Sequence, residues 1–319
     1  MGISMSRRNC DFCKKLQFFV VFFIHISTNS AWICYSIFEP AEYSTGVIRF
    51  NMNTDENSVK SIAKAFHILS CFNATDTQLS LTDICKKTGM PKSTTLNILR
   101  TLEQFGYITR TVPSMNYRLG YSVMKLNYYA QMATPVVRYT SPFLEDLQRK
   151  TGKTIYLTTH IDGRVLYLDV AHQNRRMFSY SIAGKTLHMH CTGCGKAMLS
   201  YLPAPEVEQI IQSQGLPAFT PNTITDKTAL LKELEEIRSR GYALDNEEET
   251  LGVRCIAEPI LNSKGYPTAA ISISGSALSM QPDMTLDYAK ELTNTCNALS
   301  HCADEYPAGQ ILLLQKRKG

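Results

Sequence analysis

The run SLTDICKKTGMPKSTTLNILRTLEQFGYITR, residues 80–110, breaks into two helical segments around Gly89. Glycine after a periodic segment stops a helix, so the first segment spans residues 82–88. Pro91 suits the first turn of the next helix, where a missing N–H costs nothing. That helix is expected to run to about Phe105, with Leu96, Leu99 and Leu102 turned inward. Two helices joined by a tight glycine-containing turn form a helix-turn-helix. Residues 106–110, a polar tip at 112–116 and Tyr117-Arg118-Leu119 then predict two short strands, which makes a winged helix. Upstream, VKSIAKAFHILSC (59–71) sets Val59, Ile62, Ala63, Phe66 and Leu69 at helical spacing and supplies a further amphipathic helix.

Charge singles out the same region. Residues 59–118 hold eight Lys and Arg against three Asp and Glu, while residues 119–319 balance at 20 against 20. A small basic module beside a neutral body is the electrostatic pattern expected for a polyanion partner. In a helix-turn-helix the second helix enters the major groove with its N-terminal residues nearest the bases. Here those are Lys92, Ser93, Thr94 and Thr95, with Asn97 one turn further in. Asn pairs bidentately with adenine, and Ser or Thr donates or accepts at base edges. Lys92, Arg100, Arg110 and Arg118 are assigned to the DNA face as well. Lys92, Arg110 and Arg118 suit phosphates, which position a module without reading sequence.

Beyond residue 120 the pattern changes. Residues 121–133 predict a linking helix, and SPFLEDLQRKT (141–151) a helix with Pro142 near its start. Residues 154–160 and 164–171 alternate as strands around Asp162-Gly163, and residues 177–181 suit a third. Residues 193–201 and 206–214 look helical, and DKTALLKELEEIRSR (226–240) is a helix capped by Asp226 and stopped by Gly241. Residues 254–261 and 268–274 flank the turn Asn262-Ser263-Lys264-Gly265, and a last helix runs from about Pro282 to Ala303. Strands in hairpins with helices outside them predict an α+β body with an antiparallel sheet.

The first 52 residues form a hydrophobic extension, LQFFVVFFIHISTNSAWICYSIF (16–38), behind Arg7, Arg8, Lys14 and Lys15. A membrane anchor, an export signal and a start codon upstream of the native one all remain open. Export conflicts with a DNA-binding module. Met52 opens an ordinary charged N-terminus, so the extension is expected to be non-native or disordered, the protein cytoplasmic, and a membrane partner to arise only if residues 16–38 are native. The segments are then the extension (1–52), a winged helix (53–120), the linking helix (121–133), an α+β body (134–306) and a basic tail (307–319).

Other constellations carry no chemistry. Ten Cys in 319 residues are too sparse for a disulfide scaffold, and seven His with one Trp exclude a metal-rich composition. His188, His190, Cys191 and Cys194 form H-x-H-C-x-x-C, too compressed for four ligands on one zinc. Lys196 in GCGK lacks phosphate-loop spacing, and the consecutive Glu247, Glu248 and Glu249 do not face one another. No nucleophile, base and orienting group come together, so neither catalysis nor a metal nor a cofactor is expected.

Four separated segments in a fixed order carry a resemblance. The winged-helix run ending in YRLG (117–120), HCTGCGKAML (190–199), RSRGYALDNEEETLGVRCIAEP (238–259) and AAISISG (269–275) make the chain resemble the IclR family of bacterial transcriptional regulators from about Val59 to Ala303. The resemblance implies a winged helix on operator DNA, a linker helix and a GAF-like domain that binds a small effector, assembled as homodimers or homotetramers. The family usually carries Arg or a larger polar residue where this chain has Asn97, so the resemblance implies the fold but no particular operator sequence.

The implied effector cradle maps onto Leu187, Gly193, Cys194, Asp245, Cys255, Ser272 and Ser274. This chemistry suits a small carboxylate or keto acid. Backbone N–H groups after Gly193 would favour an anion, and Ser272 and Ser274 share one strand face. Arg175 and Arg176, at the expected rim, look like the segment of the branch sensing 2-keto-3-deoxy sugar acids, with Asp245–Glu249 and residues 304–307 adding to that likeness. Arg176 would grip a carboxylate bidentately. The other class of function is a small-molecule-binding or catalytic GAF-type protein with a non-functional DNA module.

Overall fold

A computed structural model of the chain describes residues 21–25, 32–36, 59–172, 182–281, 285–301 and 303. Residues 175–181 and 304–307, which include Arg175 and Arg176, lie outside them. The chain divides into two units, 1–126 and 127–319. In the first, β1 (Val21–His25) pairs antiparallel with β2 (Trp32–Ser36). No helix among the described residues is long and apolar enough to cross a membrane.

Three helices follow: α1 (Lys60–Leu69), α2 (Leu81–Thr88) and α3 (Lys92–Gln104). Helix α2 starts at a reciprocal capping box, in which Ser80 accepts from Asp83 N–H and Asp83 accepts from Ser80 N–H. It ends at Gly89 with φ of 68°, a conformation that costs glycine little. The wing is β3 (Ile108–Arg110) paired with β4 (Tyr117–Leu119), and Leu79 bridges Tyr117 to tie the wing to the helices. The core holds Ile68, Ile84, Leu99, Ile108 and Tyr117. From α3 the inward residues are Thr95, Ile98, Leu99 and Leu102, whereas Leu96 packs outside this core. Leu99 and Leu102 turn inward as expected, and Leu96 alone does not, because the 95/98/99/102 spacing of a 3.6-residue repeat sets the stripe.

Helix α4 (Tyr121–Ala133) passes from one unit into the next and buries none of its residues. Helix α5 (Pro135–Thr151) begins earlier than the sequence reading placed it. Pro135 occupies its first turn, and Pro142 lies inside the helix rather than at its start.

The second unit is built on β5 (Thr154–Ile161), β6 (Arg164–Ala171), β7 (Thr186–His188), β8 (Ala243–Asn246), β9 (Val253–Leu261) and β10 (Pro267–Ser276). Their order is β7-β6-β5-β10-β9-β8, with every pair antiparallel. Asp162 and Gly163 both take positive φ, which lets a two-residue turn match the strand twist between β5 and β6. One face packs Leu144 and Leu147 of α5 and Leu292 and Cys296 of α9 (Thr285–Ser300) on Ile155, Leu157, Ile256, Ile271 and Ile273. The other packs α6 (Gly193–Leu199), α7 (Ala204–Gln214) and α8 (Lys227–Arg240) on Val165, Ala257 and Ala270. Alternation along each strand thus gives the sheet two apolar faces, as a helix-covered sheet requires.

Candidate functional site

In the first unit α3 presents a polar face opposite its buried stripe. Lys92, Ser93, Asn97 and Arg100 are exposed and Thr94 is half-buried. Ser93, Asn97 and Arg100 follow one another at i, i+4 and i+7, so they share that face. Thr95 does not join them. It is fully buried, and its hydroxyl donates to the Pro91 carbonyl at 3.1 Å. It is a packing residue, and its assignment to base edges is corrected.

The wing arginines have partners of their own. Arg110 pairs with Glu103 at 3.4 Å and lies over the Tyr117 ring, so its charge is partly spent before any phosphate arrives. Arg118 lies over Tyr121 and lines an open groove of about 470 Å³ with Phe72, Asn73 and Gln78.

In the second unit the sheet register brings the candidate effector residues together. Ser274 on β10 lies opposite Cys255 on β9, and Cys255 lies opposite Asp245 on β8. The three form a row across neighbouring strands. The next row on the same face holds Tyr156, Ser272 and Ala257. The Cys255 thiol donates to Ser274 Oγ at 3.1 Å. Gly193 opens α6 directly over these rows. A Cβ there would lie 3.3 Å from that of Ala257, 3.5 Å from that of Cys255 and 3.7 Å from that of Asp245. Cys194 is buried beside Ser272 and Thr158. Six sequence-assigned residues therefore meet: Gly193, Cys194, Asp245, Cys255, Ser272 and Ser274.

Two assignments fare differently. Leu187 is half-buried on the edge strand β7, opposite Val165, and packs in neither core of this unit. Arg176 lies outside the described residues. The start of α6 also offers less than expected for an anion. The helix has only 7 residues, and the Gly195 N–H is already taken by Thr192 Oγ1 at 3.2 Å.

Sequence reasoning missed the charged group behind this face. Lys196 is 1% exposed, the largest fully buried side chain in the described residues. Its ammonium donates to Glu248 Oε1 at 2.5 Å and lies 3.6 Å from Glu233 on α8. The Glu248 N–H in turn donates to Asp245 Oδ1 at 2.8 Å. The only available signal was a lysine inside an otherwise small and apolar helix. Tyr156 and Tyr167 were missed too. They meet edge-on with centroids 5.3 Å apart, and burial raises both phenols, Tyr156 to about 12.

The histidine–cysteine cluster is engaged in packing. His188 Nε2 accepts from the Arg164 guanidinium at 3.1 Å, and His190 Nε2 donates to the Pro217 carbonyl at 3.0 Å. Both rings lie against Phe219. Burial, with Arg164 and His190 adding, lowers His188 to about 4 and keeps it neutral. Cys191 donates to the His188 carbonyl, while burial raises its thiol well above the ordinary range.

The comparisons with known proteins agree with this two-domain architecture. The IclR helix-turn-helix domain matches residues 61–111, and the bacterial transcriptional regulator IclR C-terminal domain matches residues 130–301. The HTH-type transcriptional regulator XynR of Escherichia coli is 32% identical over 251 residues, covering 78% of this chain and 99% of XynR. The HTH-type transcriptional regulator KdgR of the same species is 28% identical, over 78% of this chain and 95% of KdgR. The crystal structure of the Thermotoga maritima IclR superposes with a TM-score of 0.56 at 30% identity, over 76% of this chain and 98% of that one. With both domains matched and a helix-turn-helix ahead of a helix-covered antiparallel sheet, the chain belongs to the IclR family of transcriptional regulators.

Proposed function

We propose that this regulator is switched by a small organic acid, a keto acid or sugar acid, held on the sheet face beneath Gly193. Helix α3 lies in the major groove of its operator, with Ser93, Thr94 and Asn97 toward base edges and Lys92 and Arg100 on phosphates. One observation carries the ligand half of this reading: Asp245, Cys255 and Ser274 stand in register across three strands, with Ser272 and Cys194 beside them. Hydroxyl, thiol and carboxyl groups gathered on a largely buried face suit a small polar ligand. Arg176, outside the described residues, is the side chain assigned by family likeness to grip its carboxylate.

The working unit is at least a homodimer. Tyr121, Met124, Tyr128, Tyr129 and Met132 along the single helix α4 are all more than half exposed. Apolar side chains in such number mark a surface that another chain covers, and a two-fold operator calls for a second copy.

The test is fluorescence anisotropy of the full chain on DNA from its own chromosomal neighbourhood, with and without pyruvate and gluconate. Specific binding should weaken with salt, and the effective acid should shift affinity by about 5–150-fold, the usual range of allosteric coupling. Binding that never exceeds that to random DNA, with or without acid, overturns the reading and leaves a ligand-binding protein with an idle DNA module.

A further inference from the structure

The charges behind the proposed ligand face do not balance. Lys196 is the one buried ammonium among the described residues there, and Glu248 and Glu233 both claim it, at 2.5 Å and 3.6 Å. Asp245, 5% exposed, is a third carboxylate in the same cluster, and Glu249 stands close enough to act on it. The cation on the flanking strand, Arg254, is occupied by Glu247 at 3.1 Å. From β9 Asp245 faces the Cys255 thiol, and from α6 it faces Gly193. Neither Cys255 nor Gly193 carries a charge, and Lys196, the cation that acts on Asp245, is held by Glu248 and Glu233. Glu248 also keeps one buried oxygen, Oε2, without a hydrogen-bond partner. A carboxylate buried without its own cation is stabilised by keeping its proton.

We propose that Asp245 meets the ligand as a neutral acid and donates a hydrogen bond to the ligand's carboxylate while keeping its proton, so that above neutral pH the site takes up an organic anion together with one proton. This rests on reading the Asp245–Cys255–Ser274 row as the effector site. It makes Asp245 a specificity residue. Neutral Asp245 is a donor that selects a carboxylate acceptor. Ionised Asp245 repels that carboxylate and favours uncharged hydroxyl donors. Burial pushes the Asp245 carboxyl up to about 7, and Glu248 and Glu249 add to the shift against the opposing Glu248 N–H and Lys196. The change of selectivity therefore falls near neutral pH.

The experiment is calorimetric titration of the full chain with pyruvate and with gluconate between pH 5.5 and 8.5, in buffers of different ionisation enthalpy. The acid that binds should do so with constant affinity below about pH 6 and lose roughly tenfold per pH unit above about 7. Near pH 8 it should draw close to one proton from solution. In D245N both effects should vanish. Binding that is level with pH and takes up no proton overturns the proposal and leaves the effector site standing. If neither acid binds at any pH, the effector reading fails for these acids, and a ligand-free measurement still decides the protonation. Folded Asp245 holds a proton while the unfolded chain is ionised, so wild-type stability relative to D245N should fall from pH 5 to 7 and level off above. A constant difference refutes the held proton. Should D245N fail to fold, proton uptake by the wild type decides alone.

Discussion

Replacing Lys196 by methionine tests the buried charge cluster directly. The lysine is 1% exposed in a helix whose seven residues are all buried, so methionine can occupy the aliphatic path without opening a large void. What disappears is the ammonium at 2.5 Å from Glu248, itself 5% exposed. Glu248 would then be a buried carboxylate whose Oε1 retains only a long contact from Asn246 N–H at 3.4 Å. Breaking a buried pair by removing one partner costs about 3–5 kcal/mol, chiefly because the other charge is stranded. Glu233 suffers less, because Arg240 also binds it at 2.8 Å. K196M should therefore lose about 3–5 kcal/mol in urea unfolding followed by circular dichroism. The double variant K196M/E248Q should recover most of that loss, since two neutral side chains strand no charge. The reasoning is refuted if K196M costs less than about 1 kcal/mol, the range of an exposed ion pair. It is equally refuted if the double variant is no more stable than K196M alone.

Three further outcomes follow from the geometry. In G195A the new Cβ would land on the Met189 backbone, so the second unit should lose more than about 4 kcal/mol, read by the same unfolding assay. T95V removes one hydrogen bond to Pro91 and should cost about 1 kcal/mol without changing operator choice, whereas N97A should narrow the gap between operator and mismatched DNA by about 1–3 kcal/mol, both read by competition anisotropy. Burial raises Glu258 from 4.5 to about 7, with Thr293 opposing, so the folded chain holds a proton there that the unfolded chain releases. Stability should fall as pH rises across that window and level off above it, and E258Q should remove this component from a plot of melting temperature against pH.

Most of the architecture was legible because its signals are local. Gly89, Asp226 and Gly241 punctuate helices, and Asp162-Gly163 closes a hairpin, all within a few residues. Strand β8 was missed because Ala-Leu-Asp-Asn is too short and polar to announce itself, and pairing with β9 supplies what its composition lacks. The pocket residues were placed through family likeness, and the register explains why they meet. Thr95 misled for the opposite reason. It is chemically suited to DNA, but the phase of α3 turns it into the core. Lys196 was invisible because burial of a charge depends on partners 37 and 52 positions away, which no local pattern encodes.

That three-way charge cluster bears on how the protein could be rebuilt as a biosensor. One ammonium fastens α6 to α8 and to the turn after β8, segments far apart along the chain. Transplanting the 245–249 segment from a relative to change what is sensed would import a new partner for Lys196 without its matching environment. Grafts that move residues 193–199, 227–240 and 243–255 as a set should fold, and shorter ones should fail for reasons unrelated to ligand recognition.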